Sequence, residues 1–125
     1  MKLIKIILVV LLIMLVLAQF FRPDPNVSSV AAFDTFLKAT NPPAKVKQVL
    51  IETCFDCHSD HSRYPWYDKI TPVNFWLANH IEDGKKHFNI SKWDDYSTKK
   101  KDHKIEELIE MVEAREMPLE SYTYT

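Results

Sequence analysis

Glycine is almost absent from this 125-residue chain, with Gly84 its single example. Loops that cradle phosphate groups need several glycines, so nucleotide-binding signatures of that kind are excluded. All-β architectures built on glycine turns are excluded with them. Cysteine is nearly as scarce. Cys54 and Cys57 are the two that occur, so neither has a spare thiol elsewhere to pair with. An excess of one charge is also missing. The 16 Lys and Arg face 17 Asp and Glu, both signs are interspersed, and nothing marks a nucleic-acid binder. The run Lys99-Lys100-Lys101 is local and flanked by Asp94, Asp95 and Asp102, so it reads as a solvated face rather than a docking patch.

What is present begins with a sharp division. From Ile6 to Phe21 the residues are almost all Ile, Leu, Val, Met, Phe and Ala, preceded by Lys2 and Lys5. This length falls between a signal-peptide core of about 7–15 residues and a spanning helix of about 20. Val16-Leu17-Ala18 is a weak cleavage site, and no cysteine follows it to carry a lipid. Residues 1–22 are therefore expected to be an uncleaved signal anchor, a single-pass transmembrane helix. Its lysines would stay in the cytoplasm and the remainder would be periplasmic. Residues 23–27, with Pro23 and Pro25, read as a short stiff spacer. Residues 28–125 form one small domain.

The periodicity of that domain is helical, and the fold class is all-α with long loops. Ser28 or Ser29 is suited to cap a helix through Leu37, with Val30, Phe33, Phe36 and Leu37 on one face. Pro43 starts a helix that runs into Cys54. Thr71-Pro72 supplies an N-cap followed by Pro at the first helical position. Val73, Trp76, Leu77, His80 and Ile81 form the expected buried stripe after it, with Gly84 as the stop. Ser91 is the expected cap of a turn holding Trp93 and Tyr96. Ile105, Leu108, Ile109 and Val112 mark a last amphipathic helix ending near Glu116.

The chemistry lies in Cys54-Phe55-Asp56-Cys57-His58. Cys-x-x-Cys-His is the haem c attachment pattern. Two thiols three residues apart on one turn can add to the vinyl groups on one porphyrin edge, and the adjacent His then reaches the iron. Covalent attachment also staples a domain of this size, which has little core of its own. A thioredoxin-like redox pair is the first rival, but it wants a βαβ setting that the helical flanks do not offer. Half of a zinc site is the second, with His80 and His87 open as further ligands.

A His/Met pair on the iron raises the potential and suits electron transfer, whereas an open sixth position suits gas binding. Met117 is the chosen sixth ligand, because it lies just past a helix and Pro118 fixes the backbone after it. His80 is the alternative. Met111 reads as helix packing, His61 is too close to the attachment turn, and His87 and His103 read as surface residues. Trp66, Trp76 and Trp93, with Tyr64 and Tyr67, divide evenly between ordinary core and the lining of a haem pocket. Arg63 and Lys85 are candidate counter-charges for haem propionates, with plain surface placement favoured.

The segments Cys54–Ser59, Arg63-Tyr64-Pro65-Trp66-Tyr67 and Ile70-Thr71-Pro72 resemble the bacterial haem-binding domain family of small exported cytochrome c-like proteins. Trp76-Leu77, His80-Ile81, Gly84-Lys85, Asn89–Trp93 and Glu116-Met117-Pro118 continue the likeness in order, over about residues 28 to 124. The resemblance implies a c-type haem on Cys54 and Cys57 with His58 as a ligand, often behind an N-terminal membrane segment. It supports Met117 by position alone. Similar members continue past Ser121-Tyr122-Thr123 into another helix, so this chain is expected to be short or a fragment, with a more open pocket. The expectation is a membrane-anchored monohaem cytochrome, with one haem c per chain and a partner protein for single-electron exchange. No substrate-transforming residue is required, so an enzyme is not expected. The rival is a haem-based sensor with an open sixth site.

Overall fold

The computed structural model describes residues 2–28 and 33–122. All regular elements among the described residues are helical, and the only β pairing is an isolated antiparallel bridge between Val27 and His61. Helix α1 (Lys2–Ala18) carries the apolar run and exposes nearly all of it. Its 17 residues fall short of the expected span: no helix among the described residues is long and apolar enough to cross a membrane.

Helix α2 (Asp34–Thr40) starts later than its sequence suggests. Its N-cap is Phe33, without a side-chain bond, and it ends on Asn41 in the left-handed region (φ 41°). Ser29 and Val30 lie outside the described residues. Helix α3 (Ala44–Val49) passes through a π-helical turn (Leu50–Cys54) into α4 (Phe55–His58), as the run from Pro43 predicts. A π turn inserts an extra residue and rotates the helix beyond it, and such turns are frequent at functional sites.

A 3₁₀ turn (Trp66–Lys69) leads to α5 (Val73–His87). The cap is Pro72 rather than Thr71, whose hydroxyl instead accepts from Asn74 Nδ2 at 3.0 Å and donates to the Phe21 carbonyl at 3.2 Å. Gly84 does not stop the helix, which continues three residues beyond it. The expected stripe holds in part: Ile81 is buried and Val73, Leu77 and His80 are half-buried, but Trp76 is 45% exposed and Asn74 is buried instead. After α5 a second 3₁₀ stretch (Ile90–Asp95) is capped by Asn89, not Ser91: Asn89 Oδ1 accepts the Ser91 N–H at 3.0 Å. Asn suits this role because its short side chain mimics a turn of backbone. Helix α6 (Thr98–Glu113) is capped by Ser97 and is followed by Arg115 in the left-handed region (φ 59°). The triple lysine lies in its first turns, with Lys100 Nζ 4.0 Å from the Tyr96 ring centre. A last 3₁₀ turn covers Glu120–Tyr122.

The core is aromatic. Phe33, Phe36, Leu50, Phe55, Phe88, Ile90 and Trp93 are buried together, with Leu37, Ile105 and Leu108 at the margin. Phe36 is the hub: its ring meets Trp93 edge-on at 4.9 Å, Phe55 at 6.0 Å and Phe88 at 6.1 Å. Edge-to-face pairs of this kind add to the area they bury.

A polar seam closes the other side. The stretch read as a spacer is tied into the domain. The Asn26 N–H donates to Tyr64 Oη at 2.6 Å, and Asn26 Nδ2 donates to the Ser59 carbonyl at 2.8 Å. Ser28 N–H donates to the Asp60 carbonyl at 2.8 Å. Lys85 Nζ reaches both Asp60 Oδ1 at 2.9 Å and Asn26 Oδ1 at 2.7 Å, and Asn89 Nδ2 donates to Asp60 Oδ1 at 2.9 Å. Partial burial works to raise the Asp60 pKa, but hydrogen bonds from Lys85 and Asn89 outweigh it and hold the pKa below its ordinary value.

Phe36→Ala is expected to cost about 3–5 kcal/mol in denaturant unfolding, because the ring cannot be replaced without a cavity. The lowered Asp60 pKa stabilises the fold at pH values above the unfolded carboxylate's, and that share is lost as pH falls through the folded value. Acid unfolding of Asp60→Asn should therefore lack this part of the wild-type transition, on top of a lower melting temperature at neutral pH.

Candidate haem site

Cys54, Cys57 and His58 stand on one helical path, where the π turn delivers Cys54 into α4. Both cysteines are free thiols and half-buried. Burial raises both thiol pKa values, with the Asp56 charge adding to it, and Cys57 is pushed up to about 11. A redox dithiol needs the opposite, a thiol pKa lowered toward neutral. The thioredoxin-like rival therefore finds no support in the electrostatics. Nor do three His, Cys, Asp or Glu side chains converge as a metal cage anywhere among the described residues, so the zinc reading has no built site.

His58 is held by its own far nitrogen. Nδ1 lies 2.9 Å from the Phe88 carbonyl oxygen. A carbonyl can only accept, so Nδ1 carries the proton and the Nε2 lone pair is left for a metal. A ligand imidazole oriented by a backbone carbonyl is the usual outer-shell arrangement. Burial lowers the His58 pKa against the pull of the Phe88 and Gly84 carbonyls, so the neutral, ligating form is favoured.

Gly84 explains how the carbonyl gets there. A Cβ at this position would sit 2.6 Å from the Cys57 carbonyl oxygen, a backbone atom. Absence of a side chain lets α5 press against α4 and carry Phe88 under the imidazole. The glycine looked like a helix stop in the sequence, and its packing role carried no separate signal there.

Asp56, between the two cysteines, is buried and forms a cluster that sequence reading missed. Arg63 donates to it from its backbone N–H at 3.0 Å, from Nε at 3.1 Å and from Nη2 at 2.9 Å, and also from Nη2 to the Glu52 carbonyl. Tyr122 Oη donates to Asp56 Oδ2 at 2.7 Å and returns the C-terminal turn to the attachment helix. Burial, then the Asp56 hydrogen bond and charge, pushes the Tyr122 phenol pKa well up. A cavity of about 270 Å³ opens beside Cys57, lined by Asp56, Arg63, Tyr64, Tyr67 and Tyr122 among others.

The remaining expected residues are scattered. Met117 is half-buried, and the Glu116 and Met117 N–H groups both donate to the Met111 carbonyl, at 2.9 and 3.1 Å. Its loop is thus fastened to α6 behind it and, through Tyr122, to Asp56 ahead. His80 donates from Nδ1 to the Trp76 carbonyl at 2.8 Å, and its ring stacks 4.3 Å from Trp76. His61 Nδ1 is 2.6 Å from the Ser28 carbonyl. His87 and His103 are exposed. Trp93 belongs to the core, whereas Trp66 is 75% exposed and rests on Tyr67. The candidate propionate partners are both committed elsewhere, Arg63 to Asp56 and Lys85 to Asp60.

A small helical domain with two protonated, unpaired thiols and a metal-ready imidazole on one turn defines a haem-binding module. The chain belongs to the haem-binding domain family, whose model matches residues 13–125. No curated protein and no solved structure matches it. Its cofactor is accordingly a haem, and the donor set at residues 54–58 fits one.

Gly84→Ala should destabilise the domain by about 1–3 kcal/mol through backbone overpacking. Because the shift propagates to Phe88, the fraction of purified chain carrying haem should fall as well, measured as the ratio of haem to protein absorbance. A variant with full stability and full haem content would show that the close approach at Cys57 does not matter.

Proposed function

We propose that this protein is a monohaem c-type cytochrome that carries single electrons, held at the outer face of a membrane by its N-terminal segment. The observation that carries the reading is the His58 Nδ1 to Phe88 carbonyl bond at 2.9 Å, on the turn that bears both cysteines. Cys54 and Cys57 would hold the porphyrin through thioethers, with His58 Nε2 on the iron. When bound, the haem supplies reversible one-electron chemistry at its iron.

The chain's own part is positioning. The Phe88 carbonyl fixes the imidazole tautomer and ring direction. Asp56 keeps the Arg63 guanidinium on the attachment helix, so that charge is spent locally. Met117 is the proposed sixth ligand, because its loop is fastened to α6 behind it and, through Tyr122, to Asp56 ahead. Lys2 and Lys5 before an apolar run favour retention of the N-terminus in the cytoplasm and export of the domain.

Two measurements on the exported, full chain test this. Intact mass should show one haem that survives denaturation, and Cys57→Ala should leave a single thioether, visible in the pyridine haemochrome spectrum. A colourless chain with both thiols free would overturn the proposal. Reduced wild-type protein should resist carbon monoxide, while Met117→Ala should bind it one to one. Equal binding by wild type would favour a haem-based sensor with an open sixth site.

A further inference from the structure

The haem domain is joined to α1 by more than a chain connection. Gln19, just past the helix, donates from Nε2 to the Thr71 carbonyl at 3.1 Å and accepts the Thr71 N–H at 2.9 Å. Thr71 Oγ1 donates to the Phe21 carbonyl at 3.2 Å, and Arg22 Nη2 reaches the Lys69 carbonyl at 3.5 Å. Four hydrogen bonds thus clamp residues 19–22 onto segment 69–71. Around that clamp lie large apolar side chains turned to solvent: Phe20 (81% exposed), Phe21 (67%), Trp66 (75%), Ile70 (42%) and Phe75 (41%).

From this we infer that the face formed by Phe20, Phe21, Trp66, Ile70 and Phe75 is a membrane-interface belt, seating the haem domain directly in the headgroup layer of the bilayer that holds α1. The inference rests on the proposal that the N-terminal segment is an anchor. Three observations choose a bilayer over another protein. Phe20 and Phe21 directly follow α1, whose apolar side chains are exposed along its length, and the clamp ties residues 19–21 to Thr71, next to Ile70. Aromatic side chains with Trp among them are the residues that favour the membrane–water interface. Helix α1 is also too short alone: 17 residues rise about 25 Å, against about 30 Å of hydrocarbon. A shortfall of that size is met by thinning the bilayer or by sinking flanking apolar residues, and the belt provides them at the end where the domain begins. Charge in the same layer is balanced, with Arg22 and Lys69 against Asp24 and Asp68, so zwitterionic lipid suffices and salt should not release the face.

The test is hydroxyl-radical footprinting, read by mass spectrometry, of the full haem-loaded chain in phosphatidylcholine vesicles. After correction for the intrinsic radical reactivity of each side chain, Trp66, Ile70 and Phe75 should be modified roughly tenfold less than Val46 and Ile109, exposed residues of α3 and α6, because the interface excludes the radical's aqueous source. Protection should persist in high salt. If α1 is protected but Trp66, Ile70 and Phe75 react like Val46 and Ile109, the belt is wrong and the anchor stands. If α1 itself is modified freely, the anchor reading fails and the belt falls with it.

Discussion

The close approach of α5 to α4, the helix of Cys57 and His58, is the constraint on which the site depends. Without a Cβ at Gly84, two backbones meet at a distance that any other residue would forbid. That contact sets how closely α5 lies against α4, and the Phe88 N–H closes the helix on the Gly84 carbonyl, which places the Phe88 carbonyl beside His58. Phe88 then serves two masters: its ring packs against Phe36 and Trp93 in the core, while its carbonyl orients His58. Core packing and ligand geometry are thus coupled through a single residue. A disturbance of the aromatic cluster is transmitted to the imidazole by rigid backbone, since packed interiors have little slack.

Buried charge is the second organising element. Asp56 sits between Cys54 and Cys57, where an unpaired carboxylate would be costly. Three donors from Arg63 and one from Tyr122 satisfy it. Such a cluster is poor evidence for net stability, because desolvation offsets much of the attraction. Its effect is better read as register. It sets the loop after His58 and returns the C-terminal turn to the attachment helix, so the segment holding Met117 spans two fixed points. Asp60, Lys85, Asn26 and Asn89 set the other loop register in the same way.

The Cys-x-x-Cys-His pattern, the helical class and the presence of a last helix were legible in the sequence, because each depends on local spacing, but Ile109 and Val112, counted on that helix's apolar face, are exposed. Phe33 and Phe36 were also legible as a buried face. What was not legible depends on contacts between distant segments. Gly84 reads as a stop by composition, and only the Cys57 carbonyl opposite it makes it an interior residue. Ile81 faces inward as its spacing suggests, but Asn74 is buried beside it where an apolar count favours Trp76. Asn89 outcompetes Ser91 as a cap because Ser91 Oγ is taken by the Asp60 N–H at 2.9 Å. The Asp56 cluster joins residues 7 and 66 positions apart, beyond any local pattern. The apolar N-terminal run was legible as such, but its helix proves shorter than a span requires.

Covalent attachment, as proposed here, changes what the haem contributes to stability. A dissociable ligand that binds only the folded state stabilises it by mass action, in proportion to the logarithm of its free concentration. A porphyrin joined through Cys54 and Cys57 stays with the unfolded chain too, so dilution cannot remove it. Its contribution becomes an intramolecular one, governed by effective concentration rather than by supply. For a domain whose core, among the described residues, is a cluster of seven buried side chains with Phe36 at its hub, that difference decides whether the fold depends on its surroundings. Two thioethers three residues apart would close only a short loop, so the porphyrin would stay beside residues 54–57 when the chain opens elsewhere.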